Sequence, residues 1–133
     1  MSSQVRAARE DEYATWLPLW RGYQAFYKVD LAEAVSRRTW ARFFDPAEPM
    51  FCDLVEVDGT VCGLVHSIDH RSCWFEQPVC YLQDLFVAPA QRGLHLVLEA
   101  RGVVAHQRVR LFVGQARGVV AAGVGVVQRG LVR

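Results

Sequence analysis

Thirteen residues limit what this chain can fold into: Tyr81-Leu82-Gln83-Asp84-Leu85-Phe86-Val87-Ala88-Pro89-Ala90-Gln91-Arg92-Gly93. The first seven are mostly β-branched, aromatic or Leu, which predicts a strand. Pro89 has no N–H to give to a ladder, so pairing should stop there. Gln91-Arg92-Gly93 then reads as a turn that feeds a helix. A strand ending in a Gly-containing turn before a helix aims several backbone N–H groups at one spot. Such a spot attracts phosphate.

The residues upstream supply the elements that such a strand needs as neighbours. Gln4–Arg9 predicts a short opening strand, and Asp11 is a candidate N-cap, with Glu10 and Glu12 suited to the positive end of a helix. Tyr13, Trp16, Leu17, Trp20, Tyr23, Gln24 and Tyr27 recur at spacings of three and four, one stripe of a helix. Pro18 falls inside it and is expected to kink the helix or shift its start. The stripe has two readings: core packing against a sheet, or, for Trp20, Tyr23 and Tyr27, the wall of a substrate cleft. Leu31–Phe44 predicts a second helix, with Asp30 as cap and Glu33 as its capping-box partner. Met50–Val57 and Thr60–Ile68 flank Asp58-Gly59, a strong two-residue hairpin signal. Asp69–Pro78, with Trp74 and Phe75, reads as a loop. The order is strand, two helices, hairpin, strand, helix. It predicts one α/β (α+β) domain with a mixed, mostly antiparallel sheet flanked by helices.

Composition narrows the partners. The chain has 133 residues, 52% of them hydrophobic, enough for one core and too few for two domains. A net charge of +1 gives no case for nucleic acid or a membrane surface. No run is long and apolar enough to span a bilayer, and Met1-Ser2-Ser3-Gln4 does not open a signal peptide, which makes the cytoplasm the expected compartment. Cys52, Cys62, Cys73 and Cys80 form no C-x-x-C pair and read as small buried hydrophobes, with Cys52 and Cys62 as candidate neighbours across the hairpin. His66, His70 and Cys73 are a loose metal-like set, short of the four ligands that a structural zinc site needs, and no metal is expected.

Tyr81-Leu82-Gln83-Asp84-Leu85-Phe86-Val87-Ala88-Pro89-x-x-Arg92-Gly93 closely resembles the central strand and the start of the acetyl-CoA loop in GCN5-related N-acetyltransferases. The resemblance covers about residues 4–93. It implies acetyl transfer from acetyl-CoA to a primary amine, with small amines or polyamines as the acceptor class. It implies that Leu85, Phe86 and Val87 face the pantetheine and thioester, Val87 through its main chain. It also implies that Arg92 and Gly93 open the pyrophosphate loop, and that the first two helices wall the acceptor site. Relatives with Glu at the position of Gln83 use that Glu as base. A Gln cannot take a proton, so the role is open here. Asp84 is the remaining candidate, either to attract a cationic amine or to act as base. Its structural alternative is a hydrogen bond to a neighbouring loop. Tyr81 reads as packing.

The resemblance breaks after Gly93. His95 and Val97 stand where the family has two small residues, and a Cβ there obstructs close approach of backbone to phosphate. No Tyr follows Tyr81, so the family's late Tyr, which protonates the leaving thiolate, has no counterpart. From Gly93 to Arg133 there are eleven Val, seven Gly and six Arg against one acid, Glu99, and no Ser, Thr, Asp, Pro or Lys. Residues 1–92 hold nine Lys and Arg against thirteen Asp and Glu. Two accounts compete for residues 94–133. One is a reading-frame shift in a GC-rich gene; the other is a divergent ending in which Val103–Val113 or Val119–Val127 form strands. The functional alternatives follow: an active N-acetyltransferase, or an inactive remnant of that fold with a disrupted cofactor loop. A homodimer is compatible with either, and an incomplete sheet predicts self-association.

Overall fold

The computed structural model describes residues 2–71, 73, 76 and 78–91. Arg92, Gly93, His95, Val97, Trp74, Phe75 and every expectation for the tail lie outside them. Four strands form one antiparallel sheet in the order β1-β2-β3-β4: β1 Ser3–Ala7, β2 Met50–Val57, β3 Thr60–His70 and β4 Val79–Val87. Two helices, α1 Tyr13–Phe26 and α2 Glu33–Phe43, connect β1 to β2. The α/β architecture is the one the sequence predicts, with all four described strands antiparallel to their neighbours.

The hairpin forms where Asp58-Gly59 places it. Asp58 has φ +48° and Gly59 φ +81°, the pair of positive values a two-residue turn of this kind requires. The turn also holds the chain start: Asp58 N–H donates to the Ser2 carbonyl at 2.8 Å, and Ser2 N–H donates to Asp58 Oδ1 at 2.8 Å. β3 and β4 run longer than predicted, because pairing continues through Asp69–Cys80 and His70–Val79. β1 stops at Ala7, two residues early, where Arg9 N–H turns to the Glu12 carboxylate at 2.8 Å.

Three local expectations are corrected. Glu12 rather than Asp11 supplies the carboxylate that receives the free N–H at the helix entry. α1 passes through Pro18, and the irregular backbone lies upstream as a 3-10 turn at Glu10–Glu12. Burial of Trp16, Leu19 and Trp20 around the proline offsets the roughly 3 kcal/mol that an interior Pro costs a helix. Asp30 does not cap α2, which starts at Glu33 behind Ala32. The intervening residues instead close α1. Lys28 takes φ +56°, its N–H donates to the Ala25 carbonyl, Val29 N–H donates to the Gln24 carbonyl, and Gln24 Oε1 receives Leu31 N–H at 2.9 Å.

The sheet carries an apolar cluster on each face. One gathers Val55, Val57, Cys62, Val65, Cys80, Leu82 and Val87. The other packs Cys52, Leu54, Leu64 and Phe86 against Trp16, Leu19, Trp20, Tyr23 and Trp40 of the helices. Cys52 and Cys62 therefore belong to opposite faces. Cys52 pairs with His66, while Cys62 is passed over at a bulge between Gly63 and Val61, so the two are not neighbours. Cys52, Cys62 and Cys80 are buried, and Cys73, expected to be buried, is exposed. No described helix is long and apolar enough to cross a membrane.

Candidate active site

A second bulge builds the site. Along β4, Asp84 stands opposite His66 and Leu82 opposite Ser67, so Gln83 is passed over. A bulge of this kind re-aims the side chains beside it. Leu82 joins the cluster on one face, and Asp84 meets His66 on the face that α1 covers. α1 reaches β4 closely because residue 22 is Gly: a Cβ there would sit 2.9 Å from the tip of the Phe86 ring.

Asp84 is buried, with 11% of its side chain exposed. His66 Nδ1 lies 2.8 Å from Asp84 Oδ2. On its other side, Trp16 Nε1–H donates to His66 Nε2 at 2.9 Å. An indole N–H can only donate, so Nε2 is an acceptor and the imidazole proton sits on Nδ1, where it donates to Asp84. The imidazole is 3% exposed and lies among the rings of Trp20 and Phe43, at centroid distances of 5.0 and 4.8 Å.

The expected cleft residues gather at the same place. Trp20 stacks on Trp16 at 5.8 Å and on Tyr23 at 5.6 Å. Tyr23 meets Phe86 edge-on at 6.3 Å and Tyr27 at 5.1 Å. The Tyr23 hydroxyl and the Trp20 indole N–H are both buried, with no hydrogen-bond partner of good geometry among the described residues. Burial first, and then the charge and closeness of Asp84, raise the proton affinity of the Tyr23 phenol well above its ordinary range. Tyr23 thus keeps its proton, a hydroxyl donor beside Asp84. Tyr27 is the exposed member of the row.

Other candidates stand apart from this cluster. Leu85 is half-buried against one apolar face, and the side chains of Phe86 and Val87 belong to the two cores, so the main chain is what these residues have to offer a ligand. Gln83 is half-buried at the bulge. Arg92 and Gly93 lie outside the described residues. The loose metal-like set does not assemble. His66 is committed to Trp16 and Asp84, and His70 Nδ1 faces the Arg71 carbonyl at 2.8 Å. No group of three potential ligands gathers among the described residues. Among the described residues, the Asp84 carboxylate meets His66 on the neighbouring strand rather than a loop.

Sequence reasoning missed Trp16 and His66 as site residues. The available signal was a single histidine in a run with no acid and no Lys or Arg, Val61-Cys62-Gly63-Leu64-Val65-His66-Ser67-Ile68. A buried imidazole requires partners, and the run offers it none.

Among the described residues, an antiparallel sheet is thus backed by two helices, and its bulged fourth strand presents a carboxylate to an aromatic helix. The Acetyltransferase (GNAT) family pattern matches residues 9–99, and the chain belongs to that family. The match continues past Gly93 as far as Glu99. The chain is 31% identical over 90 residues to the D-amino-acid N-acetyltransferase HPA3 of Saccharomyces cerevisiae. That alignment covers 66% of this chain and 56% of HPA3, so the chain spans little more than half of its relative. Among solved structures, an integron cassette protein from the mobile metagenome of Cole Harbour Salt Marsh is similar at TM-score 0.72 and 18% identity, over 77% of this chain and 68% of that one. A possible acetyltransferase from Clostridium difficile 630 is similar at TM-score 0.68 and 14% identity, over 80% and 70%. The aminoglycoside N-acetyltransferase AAC(6')-Iy in complex with CoA is similar at TM-score 0.65 and 13% identity, over 79% and 68%. At these identities the structural likeness is one of fold.

Proposed function

We propose that the chain transfers acetyl from acetyl-CoA to a primary amine of a small molecule, with Asp84 as the seat of the acceptor's ammonium. The observation that carries this reading is the buried Asp84 carboxylate, ringed by Tyr23 and His66 and still partly open to solvent. An ammonium ion is not a nucleophile, so the site must attract the cation and then let it lose a proton. A carboxylate in low-dielectric surroundings does the first strongly, and nearby aromatic rings favour a cation further. The second is open to Asp84 as well. Gln83 contributes only amide hydrogen bonds. Trp20 and Tyr23 form the acceptor wall, with Tyr27 at its rim.

The described residues fit an acyl thioester. The bulge at Gln83 interrupts regular pairing on the outermost described strand, beside the carboxylate. The β4 main chain at Leu85, Phe86 and Val87 would hold the pantetheine arm, and Arg92 and Gly93 the pyrophosphate. Bound there, acetyl-CoA supplies the activated acyl group.

Small amines and polyamines are the acceptor class we favour, with D-amino acids added by the name of the yeast relative. The chain is read as one N-acetyltransferase-like domain, cytoplasmic, with homodimerisation open. Residues 94–133 are its atypical part, and the other two frames of the coding DNA test the frame-shift account. Neither frame yielding an aliphatic helix with Gly-x-Gly/Ala and a later Asn…Tyr segment would end it. His95 and Val97 favour a second reading, a non-catalytic member of the family. One calorimetric titration of acetyl-CoA separates the two. Saturable binding, followed by thiol release with putrescine, spermidine or D-alanine, supports the enzyme. A folded chain that binds none keeps its family and loses the activity. In an active chain, Asp84→Asn is expected to lower kcat/KM by about 10²–10³-fold.

A further inference from the structure

We propose that Trp16 and His66 are positioning residues, a two-step chain that fixes the Asp84 carboxylate in place as a hydrogen-bond acceptor. The proposal rests on the amine-acetyltransferase reading above. The chain runs in one direction. The Trp16 indole can only donate, which obliges His66 Nε2 to accept at 2.9 Å. The imidazole proton is therefore on Nδ1, 2.8 Å from Asp84 Oδ2. A helix residue thereby selects the tautomer of a strand residue, and that tautomer presents a donor to the carboxylate on the next strand.

This arrangement excludes one role and supports another. With Nε2 occupied by Trp16, His66 cannot carry a proton through to a second group, so it is neither the base nor a relay. What it does is pin one carboxylate oxygen and remove rotational freedom from Asp84. If Asp84 accepts a proton from the bound ammonium on Oδ1, the Nδ1–H bond to Oδ2 persists. The carboxyl then keeps its orientation through the step. Both residues are fully enclosed, Trp16 at 0% and His66 at 3% exposure, so neither touches a ligand directly.

The test compares His66→Asn, His66→Gln, His66→Leu and Trp16→Phe in the full chain, with putrescine, spermidine and D-alanine as probe amines. Asn places an amide N–H where Nδ1–H stands; Gln places it at the ε position, away from Asp84. Leu keeps apolar volume without a donor. Groups that orient a metal ligand by hydrogen bonding are worth about 10–100-fold, and the same scale is expected for a group that orients Asp84. We expect His66→Leu, His66→Gln and Trp16→Phe to lose that much in kcat/KM, mainly in kcat, and His66→Asn to recover most of it. Long-range ¹H–¹⁵N spectra of the unaltered chain should show His66 in the Nδ1–H form. An Nε2–H tautomer overturns the proposal. So does a folded His66→Leu with unaltered kinetics, or His66→Asn no better than His66→Gln, the pattern of a merely packed residue. If the unaltered chain turns over none of the probes, the acetyltransferase reading falls. The tautomer, with the loss or retention of putrescine binding in His66→Gln against His66→Asn, then still decides the positioning chain.

Discussion

At the residue scale the strongest charge arrangement is structural. Glu12 is buried at the entry to α1 and receives two hydrogen bonds from Arg6, at 2.7 and 3.0 Å, and one from Arg9 at 3.0 Å. It also receives the Arg9 backbone N–H, while Arg6 Nε reaches Glu56 at 2.8 Å. The Arg6 hydrogen bonds hold the Glu12 carboxyl down to about 2, from an ordinary 4.5. A depressed acid stabilises the fold wherever it is ionised. This contribution is full above about pH 4.5 and is lost as pH falls toward 2. Glu12→Gln should therefore cost on the order of 1–2 kcal/mol at pH 7. The difference between variant and parent should shrink on acidification, as read by urea denaturation at pH 7 and pH 3. Equal differences at both would show that Glu12 acts by packing alone.

At the scale of elements, Gly63 sets how closely neighbouring strands approach within the sheet and Gly22 how closely α1 approaches it. A Cβ on Gly63 would lie 2.7 Å from the Phe86 carbonyl oxygen, a backbone atom that cannot swing aside. Gly63→Ala should destabilise by roughly 2 kcal/mol through overpacking. A Cβ on Gly22 meets only the Phe86 ring tip at 2.9 Å. The roughly 1 kcal/mol that Ala gains over Gly inside a helix works against that clash. Gly22→Ala should thus fall within about 1 kcal/mol of the parent, and a calorimetric melt in which it drops as far as Gly63→Ala would refute the distinction. Much of this layer was legible in the chain. The Asp58-Gly59 turn, the aromatic stripe of α1 and the last strand all follow from local chemistry. Trp20, Tyr23 and Asp84 could be named as site candidates because stripe and motif point to them separately. His66 and Trp16 could not. Their partnership depends on which residue of β3 faces α1, and the bulges at Cys62 and Gln83 decide that.

At the scale of the whole molecule, β4 is the outer strand of the described sheet. It presents Val79–Val87, nine residues of mostly apolar strand, at that position. On the helical side, Phe26, Tyr27, Val29, Leu31 and Val35 are exposed among the described residues around the end of α1 and the start of α2, an apolar patch of the kind that meets a second copy. Sedimentation at rising concentration should show self-association. A clean monomer with one sharp cooperative melt would contradict it.

The sequence by itself determined the order of elements, the position of the hairpin and membership of an acetyltransferase family. Each of those rests on residues within a few positions of one another. Turn dihedrals, strand periodicity and the 81–93 motif are local properties. The tertiary structure alone decided that Cys52 and Cys62 part to opposite faces, that Glu12 replaces Asp11 at the helix entry, and that Trp16, His66 and Asp84 form a chain. His66 and Asp84 are eighteen residues apart and Trp16 is fifty from His66. Contacts at that separation are fixed by strand register and by single-residue bulges. One residue's slip would turn either side chain to the other face of the sheet.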